Sequence, residues 1–349
     1  MPAVTPDEEN LTRLCMIGCG GLATSRIWPC FPRLPVRLVG VCDLDEAKAR
    51  RNARRHGGEA VYADFEKMLD ETKPDGVVVC VGPQGHYALG KRILEKGYPL
   101  YTEKPPAPSA AQAWELAEAA RKSNVLWMTA FKYRHAPALV KAKEILESSE
   151  FGGLQALNIL RTAGGIQHLD KPGQKYHFLL DFCIHPIDEA LFLGGPVQSV
   201  YAVGRGTDSF AVTLVYASGA VGGLTMSARG TFKRPIDRVE ILGKPGHAIE
   251  IQDQIFMSYH VEDQPKYEHH PRFCTAGGDS LKETGFLTEL EAFVQHLRGK
   301  APAEAVASRI DESVQSMALY EAIRKSVETG QPVRPEVFAH EPAVAGAAR

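Results

Sequence analysis

Three short apolar runs, at 14–18 (LCMIG), 36–43 (VRLVGVCD) and 76–82 (GVVVCVG), are separated by charged segments with helical spacing, clearest at 45–56 and 86–96. Near-continuous apolar runs of this length, alternating with helices, predict a parallel sheet covered on both faces. A fourth strand at 99–102, a helix over 109–122 and a fifth strand at 126–130 continue the alternation, the pattern of a doubly wound domain. After residue 130 the period changes: one helix at 136–146 gives way to long stretches of alternating sequence. The segment 210–228 reads as two strands joined at Ala217-Ser218-Gly219, and 238–253 as two more around Lys244-Pro245-Gly246. Such hairpins build an antiparallel sheet. Near the C-terminus, 285–298 and 308–329 have helical spacing and close on Gly299 and Gly330, whereas the final EPAVAGAAR has no hydrophobic face.

A chain of 349 residues and 38.1 kDa exceeds the size at which one core stops growing. Two domains are expected, divided as 10–130 and 131–335 with a loose tail at 336–349. Forty Lys and Arg against 42 Asp and Glu leave a net charge of -2, which speaks against nucleic acid or an anionic membrane as partner. No apolar run reaches the roughly 18 residues a membrane span needs. The acidic start MPAVTPDEEN is unlike a signal or transit peptide, so a cytoplasmic location is expected. The seven cysteines (Cys15, Cys19, Cys30, Cys42, Cys80, Cys183, Cys274) are odd in number and include no C-x-x-C pair, which argues against a disulfide frame or a metal site. Cys15, Cys42 and Cys80 fall in strand-like runs and are expected in the core.

The first strand ends in Gly18-Cys19-Gly20-Gly21-Leu22-Ala23, a G-x-G-x-x-A string followed by a helix-compatible segment. Glycine is needed where the chain turns sharply and where backbone must approach a pyrophosphate at a helix N-terminus. Asp43 ends the second strand 20 residues after Ala23, where a carboxylate can take both ribose hydroxyls of a dinucleotide. A carboxylate there repels a 2'-phosphate and favours NAD. NADP is the alternative if Arg50, Arg51, Arg54 and Arg55 on the next helix held that phosphate, although a solvated helix face explains them more simply.

Tyr101-Thr102-Glu103-Lys104-Pro105 ends the fourth strand, at the carboxyl edge of the sheet where doubly wound folds bind ligands. With the glycine string, His86 17 positions before Glu103, Arg134 in F-K-Y-R, and D-x-x-x-H-x-x-D at Asp181, His185 and Asp188, the chain resembles the Gfo/Idh/MocA oxidoreductases over roughly 12–335. The resemblance implies an α/β protein: an N-terminal Rossmann doubly wound parallel sheet, then a C-terminal α/β domain with a large, mainly antiparallel open sheet. It also implies a cis peptide before Pro105 that aims Lys104 into the interdomain cleft. Carried over residue by residue, the dinucleotide set is Gly18, Gly20, Gly21, Leu22, Ala23, Asp43, Val81, Gly82, His86, Glu103, Lys104 and Arg134.

The same resemblance implies NAD(P)-dependent oxidation of a secondary hydroxyl of a sugar, sugar derivative or cyclitol. His185 is the expected acid/base, because an imidazole titrates near working pH. Lys104 would stabilise the developing alkoxide, and Asp181, four residues before His185, would share its face if the segment is one helix. Pro186 places that helix in question. Asp188 reads as a helix-face residue outside the catalytic set. The substrate candidates are Lys104, Arg161, His168, Tyr176, Asp181 and His185, with Lys171 nearby. The triple glycine many relatives carry before the Asp is replaced by Gly173-Gln174-Lys175-Tyr176-His177, which shapes the pocket differently. Two other readings use the same parts: an NAD-assisted glycoside hydrolase, and a non-catalytic dinucleotide-binding sensor. A homodimer or homotetramer through the C-terminal sheet is expected, since an open sheet needs covering.

Overall fold

The computed structural model describes residues 11–164, 175–231, 233–271 and 279–338. Its first sheet has six parallel strands: β1 (Thr12–Ile17), β2 (Val36–Cys42), β3 (Val61–Tyr62), β4 (Gly76–Val79), β5 (Leu100–Thr102) and β6 (Trp127–Thr129), ordered β3-β2-β1-β4-β5-β6. The order reverses at β1, and a crevice opens beyond the carboxyl ends of β1 and β4. Helices α1 (Glu46–His56), α2 (Phe65–Thr72), α3 (Pro83–Glu95) and α4 (Ala110–Ser123) make the crossovers. Their starts are written in the sequence: Asp45, Asp64 and Ser109 each accept backbone N–H groups of the helix they precede. Cys15, Cys42 and Cys80 are buried, as expected.

After α5 (Pro137–Glu147) the chain enters the second sheet through β7 (Ala156–Thr162). Helices α6 (His177–Asp181) and α7 (Ile184–Gly194) follow, then β8 (Val197–Arg205), β9 (Ser209–Tyr216), β10 (Val221–Ser227), β11 (Asp237–Leu242), β12 (His247–Gln252), β13 (Phe256–Val261) and β14 (Gln264–His269). These eight strands are ordered β14-β13-β12-β11-β7-β10-β9-β8, and only the β7–β10 pair is parallel. Both predicted hairpins are present, as β9–β10 and β11–β12. Alternation along the strands puts Leu157, Ile159, Val212, Leu214, Val239 and Ile241 on the face covered by helices.

The chain then returns to the first sheet through α8 (Ser280–Glu283), α9 (Phe286–Leu297) and α10 (Ile310–Thr329). Phe286, Leu290 and Phe293 of α9 join the core formed by Leu14, Met16, Val78 and Tyr101, so this late helix completes a layer of the N-terminal sheet. Helix α10 packs on α4, α7 and β8 and ties the two sheets together. No helix among the described residues is long and apolar enough to cross a membrane.

Candidate active site

The cofactor side is built largely from backbone. Gly18 follows β1 with φ of +103°, and a Cβ there would lie 2.1 Å from the carbonyl oxygen of Cys80, so only glycine lets the ends of β1 and β4 close. Gly20 and Gly21 face open space, with nothing within 4 Å of a Cβ at either, which leaves room for a diphosphate against the backbone. Asp43 accepts the Cys19 N–H at 2.6 Å and the Asp45 N–H at 2.8 Å, one on each carboxylate oxygen. The carboxylate is thereby fixed beside the turn, with lone pairs left for ribose hydroxyls. Three large apolar side chains stay exposed here: Leu22, Val81 and, at 98 %, Leu44. Leu44 went unnoticed in the sequence, although its place directly after Asp43 was the signal. Ala23 is buried beneath the turn, and the helix it opens is irregular, a wide turn over Ala23–Ile27 and a tight one over Trp28–Arg33, which holds Pro29 and Pro32. This cradle fits a dinucleotide.

At the end of β4, Val81 and Gly82 lead into α3. His86, in the first turn of that helix, is 1 % exposed; its Nε2 accepts the Val81 N–H at 3.2 Å and its Nδ1 donates to the Pro105 carbonyl at 2.8 Å. Burial, with help from Lys104, pushes its pKa down to about 4. Both ring nitrogens are used inside the protein, so His86 fastens β4 to the Lys104–Pro105 turn and offers no polar atom to a ligand. The peptide before Pro105 is cis.

The Lys104 turn meets the second sheet's helices. Glu103 is buried, accepts the Lys104 N–H at 3.1 Å and has its pKa raised by burial. Lys104 Nζ donates to the carbonyl of Asp181 at 2.6 Å and lies 3.5 Å from Asp181 Oδ1. The single helix on which a shared face of Asp181 and His185 depended is not formed: α6 ends at Asp181, and His185 stands in the first turn of α7. Pro186 is the physical reason, since a continuous helix would set its ring against the Phe182 carbonyl, whereas a first turn accepts it. The His185 imidazole packs against Tyr133 at 4.9 Å and edge-on to Phe131 at 6.4 Å between centroids. Its pKa falls well below the usual 6.5, through burial first and then the charges of Lys104, Lys132 and Arg161. Burial and these charges thus favour the uncharged imidazole over the imidazolium.

Other predicted site residues stand differently. Arg134, expected at the cofactor, forks onto Asp188 at 2.8 to 3.2 Å and lies 3.5 Å from Glu312, so its guanidinium is paired inside the protein. Asp188, which also accepts from Ser316 at 2.7 Å, is the buried partner that gives α7 its place. Arg161, expected at the substrate, is 2 % exposed and paired with Asp237 at 2.6 Å and Glu189 at 2.9 Å. Tyr176 is buried, with φ of +67°, and lines a cavity of about 260 Å³ together with Gly82, Gln84, Pro105, Lys175 and Asp181. His168 and Lys171 lie outside the described residues, as does Cys274. Sequence reasoning missed Lys132, a buried lysine whose Nζ donates to Gln254 at 3.2 Å and to the Thr284 carbonyl at 3.3 Å. Burial, then Arg161, brings its pKa down to about 7.

This arrangement gathers an imidazole, an ammonium and a carboxylate around the Lys104–Pro105 turn, at the carboxyl edge of the first sheet. Residues 12–131 match the NAD-binding Rossmann fold of the Gfo/Idh/MocA oxidoreductases, and residues 169–334 match that family's C-terminal alpha/beta domain. A myo-inositol 2-dehydrogenase of Thermotoga maritima is 24 % identical over 311 residues, 86 % of this chain and 91 % of that one. A D-glucoside 3-dehydrogenase of Escherichia coli is 31 % identical over 203 residues, 54 % of this chain and 56 % of that one. The solved structure of an Agrobacterium radiobacter oxidoreductase in complex with NAD+, L-tartaric acid and magnesium shares the fold, with a TM-score of 0.81 and 18 % identity over 93 % of this chain and 98 % of that one. With both halves matched in order by one family, this chain belongs to the Gfo/Idh/MocA oxidoreductases, and its first sheet is their NAD-binding Rossmann domain.

Proposed function

We propose that the protein is an NAD-dependent dehydrogenase that oxidises a secondary hydroxyl of a sugar, sugar derivative or cyclitol, or reduces the matching ketone. The observation that carries this reading is the meeting of Lys104 with Asp181 in the cleft that also holds the neutral His185. NAD, held by Gly20, Gly21 and Asp43, supplies the hydride acceptor. His185 takes the hydroxyl proton as the carbinol carbon is oxidised. The Lys104 ammonium donates to the same oxygen and stabilises its alkoxide character, at a site where the lysine side chain is 11 % exposed and water competes weakly. Asp181, 53 % exposed, is free to accept a hydrogen bond from a neighbouring substrate hydroxyl. A polyol presents both groups at once, and relatives named for inositol and glucosides support that class. NAD is preferred to NADP because the fixed Asp43 carboxylate repels a 2'-phosphate, while Arg50, on the exposed face of α1, is paired with Glu46 at 2.8 Å.

The open face of the second sheet, with Tyr201, Val203, Val221 and Leu242 exposed, is assigned to self-association as a homodimer or homotetramer. Sedimentation of the wild type and of Val203→Glu checks this, and a monomeric wild type contradicts it. The reaction is tested by NADH absorbance with NAD and a panel of inositols, free sugars and glycosides, Lys104→Ala run alongside. NADH from a polyol, abolished in the variant, is expected; silence across the panel with NAD bound overturns the reading.

A further inference from the structure

A histidine that moves protons is commonly steadied by a hydrogen bond from its second ring nitrogen to a carboxylate or carbonyl. His185 has no such anchor: Nδ1 is buried, and it has no hydrogen-bond partner among the described residues. Asp188, the nearest carboxylate in sequence, is taken up by Arg134 and Ser316, and Asp181 lies in the neighbouring helix beside Lys104. What the imidazole does have is the ring of Tyr133, 4.9 Å away between centroids and inclined by 42°.

That ring is itself fastened on every polar side. Lys132 Nζ sits 4.0 Å and the Arg161 guanidinium 4.6 Å from its centroid. Its hydroxyl bonds Gln254. Gln254 accepts from Lys132 at 3.2 Å and donates to Asp237, and Asp237 accepts from Arg161 at 2.6 Å. The clamp therefore draws on the turn after β6, on the neighbouring strands β7 and β11, where Arg161 stands opposite Asp237, and on the turn between β12 and β13. Lys132 is held from below by the Thr284 carbonyl, and Gly285 permits that approach, since a Cβ there would lie 1.9 Å from the Lys132 carbonyl oxygen.

We propose that Tyr133 is the positioning residue of His185: an aromatic shelf, clamped by Lys132, Arg161 and Gln254, that orients the imidazole by ring contact in place of a carboxylate. The inference rests on the proposed function only in naming His185 as the acid/base. Cation–π contact holds the shelf flat and brings positive charge near the imidazole. The charged groups around the histidine are Lys104 from the turn after β5, Lys132 from the turn after β6 and Arg161 from β7, with Glu189 of its own helix and Asp237 of β11 paired to that arginine, and Asp181 on α6.

The ring, and not the hydroxyl, carries the role, so Tyr133→Phe and Tyr133→Leu part company. Full-length protein is labelled with ring-15N histidine, the His185 signals are assigned by their loss in His185→Gln, and they are followed through a pH titration without substrate. Turnover and NAD affinity are measured on the same samples. Tyr133→Phe is expected to keep the His185 signals and kcat within about threefold. Tyr133→Leu is expected to move the signals, raise the titration midpoint and lower kcat by about 10- to 100-fold with KM and NAD affinity nearly unchanged, the scale of a misplaced catalytic group. Unmoved signals in Tyr133→Leu, or equal losses in both variants, overturn the proposal. Should Tyr133→Leu fail to fold, Lys132→Met, which opens the clamp, is expected to raise the midpoint, and an unmoved midpoint overturns it. Because the titration needs no turnover, a wild type silent on every polyol refutes the proposed function and still leaves the shelf decided.

Discussion

The two walls of the cleft are built on opposite plans. The N-terminal wall is backbone and one carboxylate: a turn that needs glycine at residue 18, open space over Gly20 and Gly21, and Asp43 pinned by two N–H groups. The C-terminal wall is side chains: Tyr133, Arg161, Glu189, Asp237 and Gln254, drawn from separate elements and locked by buried charge. A backbone wall suits a ligand common to many enzymes, since it reads only diphosphate and ribose. A side-chain wall suits the part that differs between enzymes. Lys104 stands at the seam, rooted in the first wall and bonded to the second through Asp181.

The comparison breaks most visibly at the seam. Lys104→Ala is expected to lower turnover by about 100- to 1,000-fold, the scale for one lost donor to a developing oxyanion, while NAD titrated by fluorescence quenching binds within a few-fold of wild type. Retained turnover would detach the chemistry from this cleft. Next comes the internal pairing of the second wall. Arg134→Ala leaves Asp188, 1 % exposed, without its partner and is expected to cost on the order of 3 kcal/mol in urea unfolding, with unchanged NAD affinity in the folded fraction. A selective loss of NAD binding would return Arg134 to the cofactor.

Smaller effects sharpen the contrast on the first wall. Asp43→Ala is expected to weaken NAD about tenfold, near 1.4 kcal/mol, and to narrow the preference over NADP in paired binding titrations. His86 yields a pH signature. The unfolded chain binds its proton near 6.5 and the folded chain only near 4, so protons favour unfolding between those values. The melting temperature is expected to fall as pH drops through that window, and His86→Gln to flatten the slope.

How much of this was legible in the sequence follows the same division. Five of the six parallel strands and helices α1, α3 and α4 were readable because buried strands are short apolar runs and because Asp45 and Ser109 cap helices locally, whereas the two-residue β3 and the helix α2 capped by Asp64 were missed, being too short to show a period. The glycine turn, Asp43 and Lys104 were readable because each follows directly on a strand. The split between α6 and α7 was foreshadowed by Pro186 alone, and its effect on Asp181 and His185 needed coordinates. The functions of Arg134 and Arg161 could not be read, because a lone arginine looks the same in sequence whether it meets a ligand or a buried carboxylate. Their partners lie 54 and 76 residues away, beyond any local pattern. Still longer separations, 122 and 152 residues, hid Lys132, whose contacts come from Gln254 and Thr284.

The central claim is that a hydride passes between a secondary carbinol carbon and NAD in this cleft. It is tested most directly by supplying NAD and a polyol from the active panel, deuterated at the carbinol carbon, and weighing the nicotinamide product by mass spectrometry. The account predicts NADH carrying one deuterium, formed by the wild type and not by Lys104→Ala. NADH without deuterium, or glycoside cleavage with no net NADH, would contradict it.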